Sequence, residues 1–132
     1  MTTEDLYSIA DRDRIIVEHQ IIGLTSAMSV EVMGTCGICI DPTMTKTEAE
    51  YKESLAHELG HCETGAFYHQ FSPCETKARQ EHKALVWEIL HLLPEEDLRQ
   101  AAMSMKRWEI ADHFGVPEWL VVKAWEYYTG AT

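Results

Sequence analysis

His57-Glu58-Leu59-Gly60-His61 closes a segment, Thr45 to Cys62, whose pattern is helical. Tyr51, Leu55, Leu59 and Cys62 recur at three- and four-residue steps, which makes an amphipathic stripe. Thr45 or Thr47 can cap the start, and Glu48 and Glu50 suit a first turn. On such a helix His57 and His61 share one face about one turn apart, so both imidazoles can reach a single ion. Glu58 then faces a water held by the ion rather than the ion itself. Zinc lowers the pKa of such a water toward ~7. A carboxylate takes its proton as the water attacks a carbonyl carbon and later hands that proton to the leaving amine. Two histidines and this glutamate are the minimum kit for peptide hydrolysis. Leu59 is available for the buried side, and Gly60 permits close packing.

A catalytic zinc wants a third protein ligand and an open position. The candidates fall on a second long helix, about Cys74 to Leu92, whose apolar face is Ala78, Leu85, Ile89 and Leu92 and which Pro94 stops. Glu75 and Glu81 each precede an alanine three residues on, Ala78 and Ala84, and a small residue there lets this helix approach the first. Glu88 lies two turns after Glu81 on nearly the same face. Spacing alone does not choose among the three.

Outward from these helices, Thr3 before Glu4 and Asp5 suits a short helix to about Arg12. The β-branched run Ile15-Ile16-Val17 suits a strand. Met28 to Met33 alternates, with Met28, Val30 and Val32 on one face and Ser29, Glu31 and Met33 on the other. Gly34 and Gly37 are expected to bracket a turn before Ile38-Cys39-Ile40, which gives a hairpin ended by Asp41-Pro42. Gly65 to Pro73 reads as a loop. Short helices are expected over Glu95 to Met105, Arg107 to His113 and Glu118 to Tyr128. The expected fold is α+β: a small antiparallel or mixed sheet packed on zincin-like helices, with a C-terminal helical hairpin. It forms one domain, 1–132, whose helical subregion is about 95–129.

The run His57-Glu58-Leu59-Gly60-His61-Cys62-Glu63-Thr64-Gly65-Ala66-Phe67-Tyr68 resembles the ImmA/IrrE family of phage and mobile-element metallopeptidases. Glu81, Ala84 and Trp87, followed by Leu92-Leu93-Pro94, resemble that family's second motif. There a Glu is followed by Ala at the third position and an aromatic at the sixth. Glu75 does not fit, because its sixth position is Glu81. The resemblance covers about residues 4 to 128 and implies Glu81 as third zinc ligand beside His57 and His61, with Glu58 as catalytic base. It also implies one Zn2+ per chain and a protein substrate, a helix-turn-helix repressor of a phage or mobile element. Leu85 is a departure: many members carry Asn or Asp just after the Ala.

The balance of 22 Asp plus Glu against 11 Lys plus Arg, a net charge of -11, repels phosphate backbones and gains nothing from anionic membranes. No apolar run approaches the roughly 20 residues of a membrane span, and Met1-Thr2-Thr3-Glu4-Asp5 is no signal-peptide start. A cytoplasmic setting follows, with Cys36, Cys39, Cys62 and Cys74 as reduced thiols. Cys36 and Cys39 are half of a zinc-ribbon pattern without a second half and read as hairpin-turn cysteines. Trp108 to Trp125 reads as helix, Gly-containing turn, helix, but its second helix offers only Lys123 against Glu118 and Glu126. It is expected to pack on the core through Ile110, Phe114, Leu120 and Val121 rather than to read DNA. Tyr68 or His69 could donate to the oxyanion of a tetrahedral intermediate, though packing is the plainer role for each. His19, His82, His91 and His113 show no ligand spacing. The alternative function is a non-catalytic, zinc-containing protein-binding regulatory module, from which Glu58 discriminates because a structural site needs no base.

Overall fold

The computed structural model describes residues 1–69 and 71–130. In chain order it contains α1 (Thr3–Arg12), β1 (Ile16–His19), β2 (Ala27–Val32), β3 (Thr35–Ile40), α2 (Glu48–Thr64), α3 (Cys74–Leu92), α4 (Glu95–Ala102), α5 (Arg107–Phe114) and α6 (Glu118–Thr129). The fold is α+β.

The helix boundaries follow local chemistry. Thr2 and Asp5 form a capping box on α1: the Asp5 amide donates to the Thr2 hydroxyl at 3.2 Å and the Thr2 amide donates to Asp5 at 2.7 Å. Thr47 caps α2 by accepting from the Glu50 amide at 3.1 Å, and Gly65, at φ 67°, ends it in the left-handed conformation.

Three strands form one mixed sheet in the order β1-β3-β2. β1 runs parallel to β3, with Val17 beside Ile38, and β2 runs antiparallel to it, with Ser29 opposite Ile38. Met33 and Gly34, at φ 52° and 81°, make the two-residue reversal between β2 and β3. Two positive φ values match the twist of the flanking strands. The expected bracketing of the turn by Gly37 is therefore corrected: Gly37 lies inside β3. With the turn so placed, β2 occupies a sheet edge.

The inner face carries Ala27, Cys36, Ile38 and Ile40, all buried against Leu6 and Ala10 of α1 and Leu55 and Leu59 of α2. Ile16, Met28, Val30 and Val32 lie on the outer face and are exposed. The alternation read in β2 is correct in phase; its apolar side faces outward because Ser29 and Ala27 face α2.

Cys36 of β3 and Cys62 of α2 form a disulfide, 5.8 Å between Cα atoms, which corrects the expectation of four thiols; Cys39 and Cys74 are free. A strand points residues 36 and 39 to opposite faces, so Cys36 and Cys39 cannot act as a pair, and both lie in the strand rather than the turn.

α2 and α3 meet where side chains are smallest. A Cβ built on Gly60 would lie 2.7 Å from the Ala84 carbonyl oxygen, so the backbones are in direct contact there. The C-terminal helices pack by burial of Leu98, Ile110, Leu120, Val121 and Ala124, each large aliphatic contributing on the order of 1.5–3 kcal/mol. Lys52 of α2 donates to the Phe114 carbonyl at 2.6 Å, satisfying the end of α5, and the Tyr128 hydroxyl donates to the Leu93 carbonyl at 2.7 Å. No helix among the described residues is long and apolar enough to cross a membrane.

Buried Asp41 ends β3 and gathers the loop before β2. It accepts from the amides of Ile22 (2.8 Å), Gly23 (3.1 Å) and Thr43 (2.9 Å) and from the Thr43 hydroxyl (2.6 Å). These bonds, the Thr43 hydroxyl foremost, lower its carboxyl to about 2.

Candidate metal centre and active site

The close approach at Gly60 and Ala84 brings the α2 histidines against an acid of α3. His57 Nε2 lies 2.7 Å from one Glu81 oxygen, and His61 Nε2 lies 3.0 Å from the other. The donor atoms of these three residues fall within 4.8 Å of one another. Glu75, one of the three acids left open by spacing, stays in solvent and pairs with Arg79 at 3.5 Å.

The other imidazole nitrogens are occupied. His61 Nδ1 bonds the Ala66 carbonyl, just past the helix, and His57 Nδ1 bonds Glu88 Oε2 at 2.7 Å. With Nδ1–H donated from behind, each ring gives its Nε2–H to Glu81 here, and loss of that proton leaves Nε2 free to bind an ion, the tautomer a metal requires.

The titration behaviour points the same way. Burial by itself would lower His57 and His61; hydrogen bonds to Glu81, with Glu88 on His57 and the Ala66 carbonyl on His61, outweigh it. His57 rises to about 11 and His61 also rises. The same two histidine bonds hold the Glu81 carboxyl well below the usual carboxylate range. The cluster favours positive charge at its meeting point. A proton supplies that here, and a divalent cation with two imidazoles and one carboxylate would supply it better. The donor set fits zinc.

Glu58, adjacent in sequence, is nearly buried and lines the same cavity. Burial pushes its carboxyl up, against the opposing pull of the Ser29 hydroxyl, His57 and His61. A base raised toward neutrality is better matched to taking and returning a proton. The Tyr68 hydroxyl donates to Glu81 at 2.9 Å, and burial with that acid lifts Tyr68 to about 12. His69 stacks edge-on with Phe71 and does not line the cavity.

The cavity measures about 840 Å³. One wall is the approach to and start of the edge strand, Thr25 to Ser29; the opposite wall includes Ala78, His82 and Leu85 of α3, and Trp119 reaches in from α6. Sequence reasoning gave His82 and Trp119 no part here. It also missed Glu53, which groups with His57 and Glu88 within 4.8 Å and which burial and the Glu88 carboxylate push up to about 9. No periodicity distinguishes these residues from ordinary helix-face positions; they are found only once the helices are docked.

Residues 12–126 match the Peptidase M78 family, described as the IrrE N-terminal-like domain. No curated protein and no solved structure gives a match.

Proposed function

Because the chain belongs to the Peptidase M78 family, we propose that it is a zinc-dependent endopeptidase, with His57, His61 and Glu81 holding one zinc ion and Glu58 acting as the base. The observation that carries this reading is the convergence of both Nε2 atoms and the Glu81 carboxylate in a cavity that Glu58 also lines. Bound there, zinc would polarise the scissile carbonyl and acidify the attacking water. Glu58 takes a proton from that water as its oxygen bonds the carbonyl carbon. It returns the proton to the departing nitrogen as the carbon–nitrogen bond breaks.

The substrate is a protein, taken as an extended segment along the edge strand β2, whose first residues line the cavity. By family resemblance it is a helix-turn-helix repressor of a phage or mobile element. The domain is a single peptidase unit.

Metal analysis of the purified chain tests this. Zinc near one per chain is expected in wild type and in Glu75→Ala, and is expected to be lost in Glu81→Ala. Full occupancy in Glu81→Ala would remove that residue from the site. A wild type that cannot be loaded with zinc would favour a metal-free binding module instead.

A further inference from the structure

The two proposed histidine ligands are held from behind by unlike groups. His61 leans on a backbone carbonyl, which any sequence would supply at that position. His57 leans on Glu88, a carboxylate with no solvent exposure at all. Taking a carboxylate out of water costs several kcal/mol, and a well-packed apolar side chain is commonly as stable or more so in such a place. Packing therefore gives no reason for an acid at position 88. The compensation is also incomplete: Oε2 meets His57 at 2.7 Å, while Oε1 has no hydrogen-bond partner among the described residues. The hydrogen bond that holds the group is with a ligand histidine, and the Glu53 carboxyl lies beside it.

Glu88 lies on α3 two turns after Glu81, and its oxygen reaches His57 Nδ1.

We propose that Glu88 is a positioning residue of the metal centre, accepting the Nδ1–H of His57 so that this ring is fixed with its Nε2 lone pair toward the ion. The inference rests on the zinc reading above. It assigns Glu88 no contact with metal or substrate. Its effect passes through His57: the ring cannot rotate or exchange tautomers, and the nearby negative charge makes the imidazole a stronger donor. Partners of this kind are typically worth ~10–100-fold in metal affinity.

The test is zinc affinity by competition with a chromophoric chelator, read alongside the melting temperature of the metal-free protein. Glu88→Leu should bind zinc ~10–100-fold more weakly. Glu88→Gln, whose amide oxygen still accepts, should recover much of that loss, and Glu75→Gln should match wild type. In ¹⁵N-labelled, zinc-loaded protein the His57 Nδ1–H signal should be slowed in exchange with water in wild type, shifted in Glu88→Gln and absent in Glu88→Leu. Unchanged affinity in Glu88→Leu, or a change confined to the melting temperature of the metal-free protein, overturns the proposal. If Glu88→Leu does not fold, Glu88→Gln decides alone: wild-type affinity with an unshifted His57 signal overturns it. Zinc binding that is absent in wild type, or undiminished in Glu81→Ala, would instead bring down the metal reading on which the proposal stands.

Discussion

Two helical pairs in this molecule are held together by opposite means. α5 and α6 join through Ile110, Leu120, Val121 and Ala124, all buried and all apolar. α2 and α3 join at a backbone contact between Gly60 and Ala84, and around that contact they enclose Glu53, His57, Glu58, His61 and Glu88. The first pair does what burial favours. The second holds groups that burial penalises: His57 is bonded to Glu88 and Glu81, and His61 to Glu81. Several strongly perturbed groups gathered in one cleft mark a candidate working site, and the contrast separates the part of the chain that supplies stability from the part that holds the chemistry.

The sharpest way to break this contrast is Glu58→Gln. It should keep zinc and lower kcat by ~10²–10⁴-fold; normal turnover in a zinc-loaded variant would mean that the cluster is not catalytic. Next in size is Leu120→Ala, in the apolar pair. Emptying a fully buried leucine site should cost ~2–5 kcal/mol of unfolding free energy while zinc per folded chain stays constant. Zinc loss from the folded variant would show that the two pairs are not separable. Gly60→Ala should reverse that outcome. The added methyl meets backbone rather than a yielding side chain, so chemical denaturation should show a cost of ~1–3 kcal/mol, accompanied by weaker zinc binding as α3 is pushed away.

The smallest effect concerns the loop whose last residues, Thr25 and Ser26, line the cavity. Asp41 titrates lower in the folded chain, about 2, than its ordinary 3.8. The folded state thus favours the ionised form, and this contribution is present above pH ~4 and lost as pH falls toward 2. Asp41→Asn should melt below wild type near neutrality, and the gap should close across that acid interval. A gap independent of pH would assign the loop's order to something other than the carboxylate.

How far the sequence reaches follows the same division. The helices were legible because their signals are local: Glu4 and Asp5 at the start of α1, where Thr2 rather than the expected Thr3 is the cap, Thr47 ahead of α2, a loop from Gly65, and apolar spacing through Tyr51, Leu55 and Leu59. His57, Glu58 and His61 were legible because one helical turn places the two imidazoles together. Glu81 needed the family's second motif, since Glu75, Glu81 and Glu88 look alike by spacing, and only docking at Ala84 separates them into an exposed ion pair, a partner of both histidines and a buried acceptor. The Cys36–Cys62 bond was not legible, because its partners lie on different elements and the register of β3 decides which cysteine faces α2. Gly37 was misread for a related reason: Met33 takes a left-handed turn position more typical of glycine, so the reversal came earlier than the glycines suggested.

The contact at Gly60 also bears on which ions the centre can accept. The span between the two helices is set by the radii of backbone atoms, and no side chain stands between them to yield. Both imidazoles are anchored from behind. Of the three donors, only the Glu81 carboxylate, with 42% of its side chain exposed, retains room to move. A larger or smaller cation would therefore have to be met by the swing of a single carboxylate, and discrimination among divalent metals becomes a matter of that one rotamer.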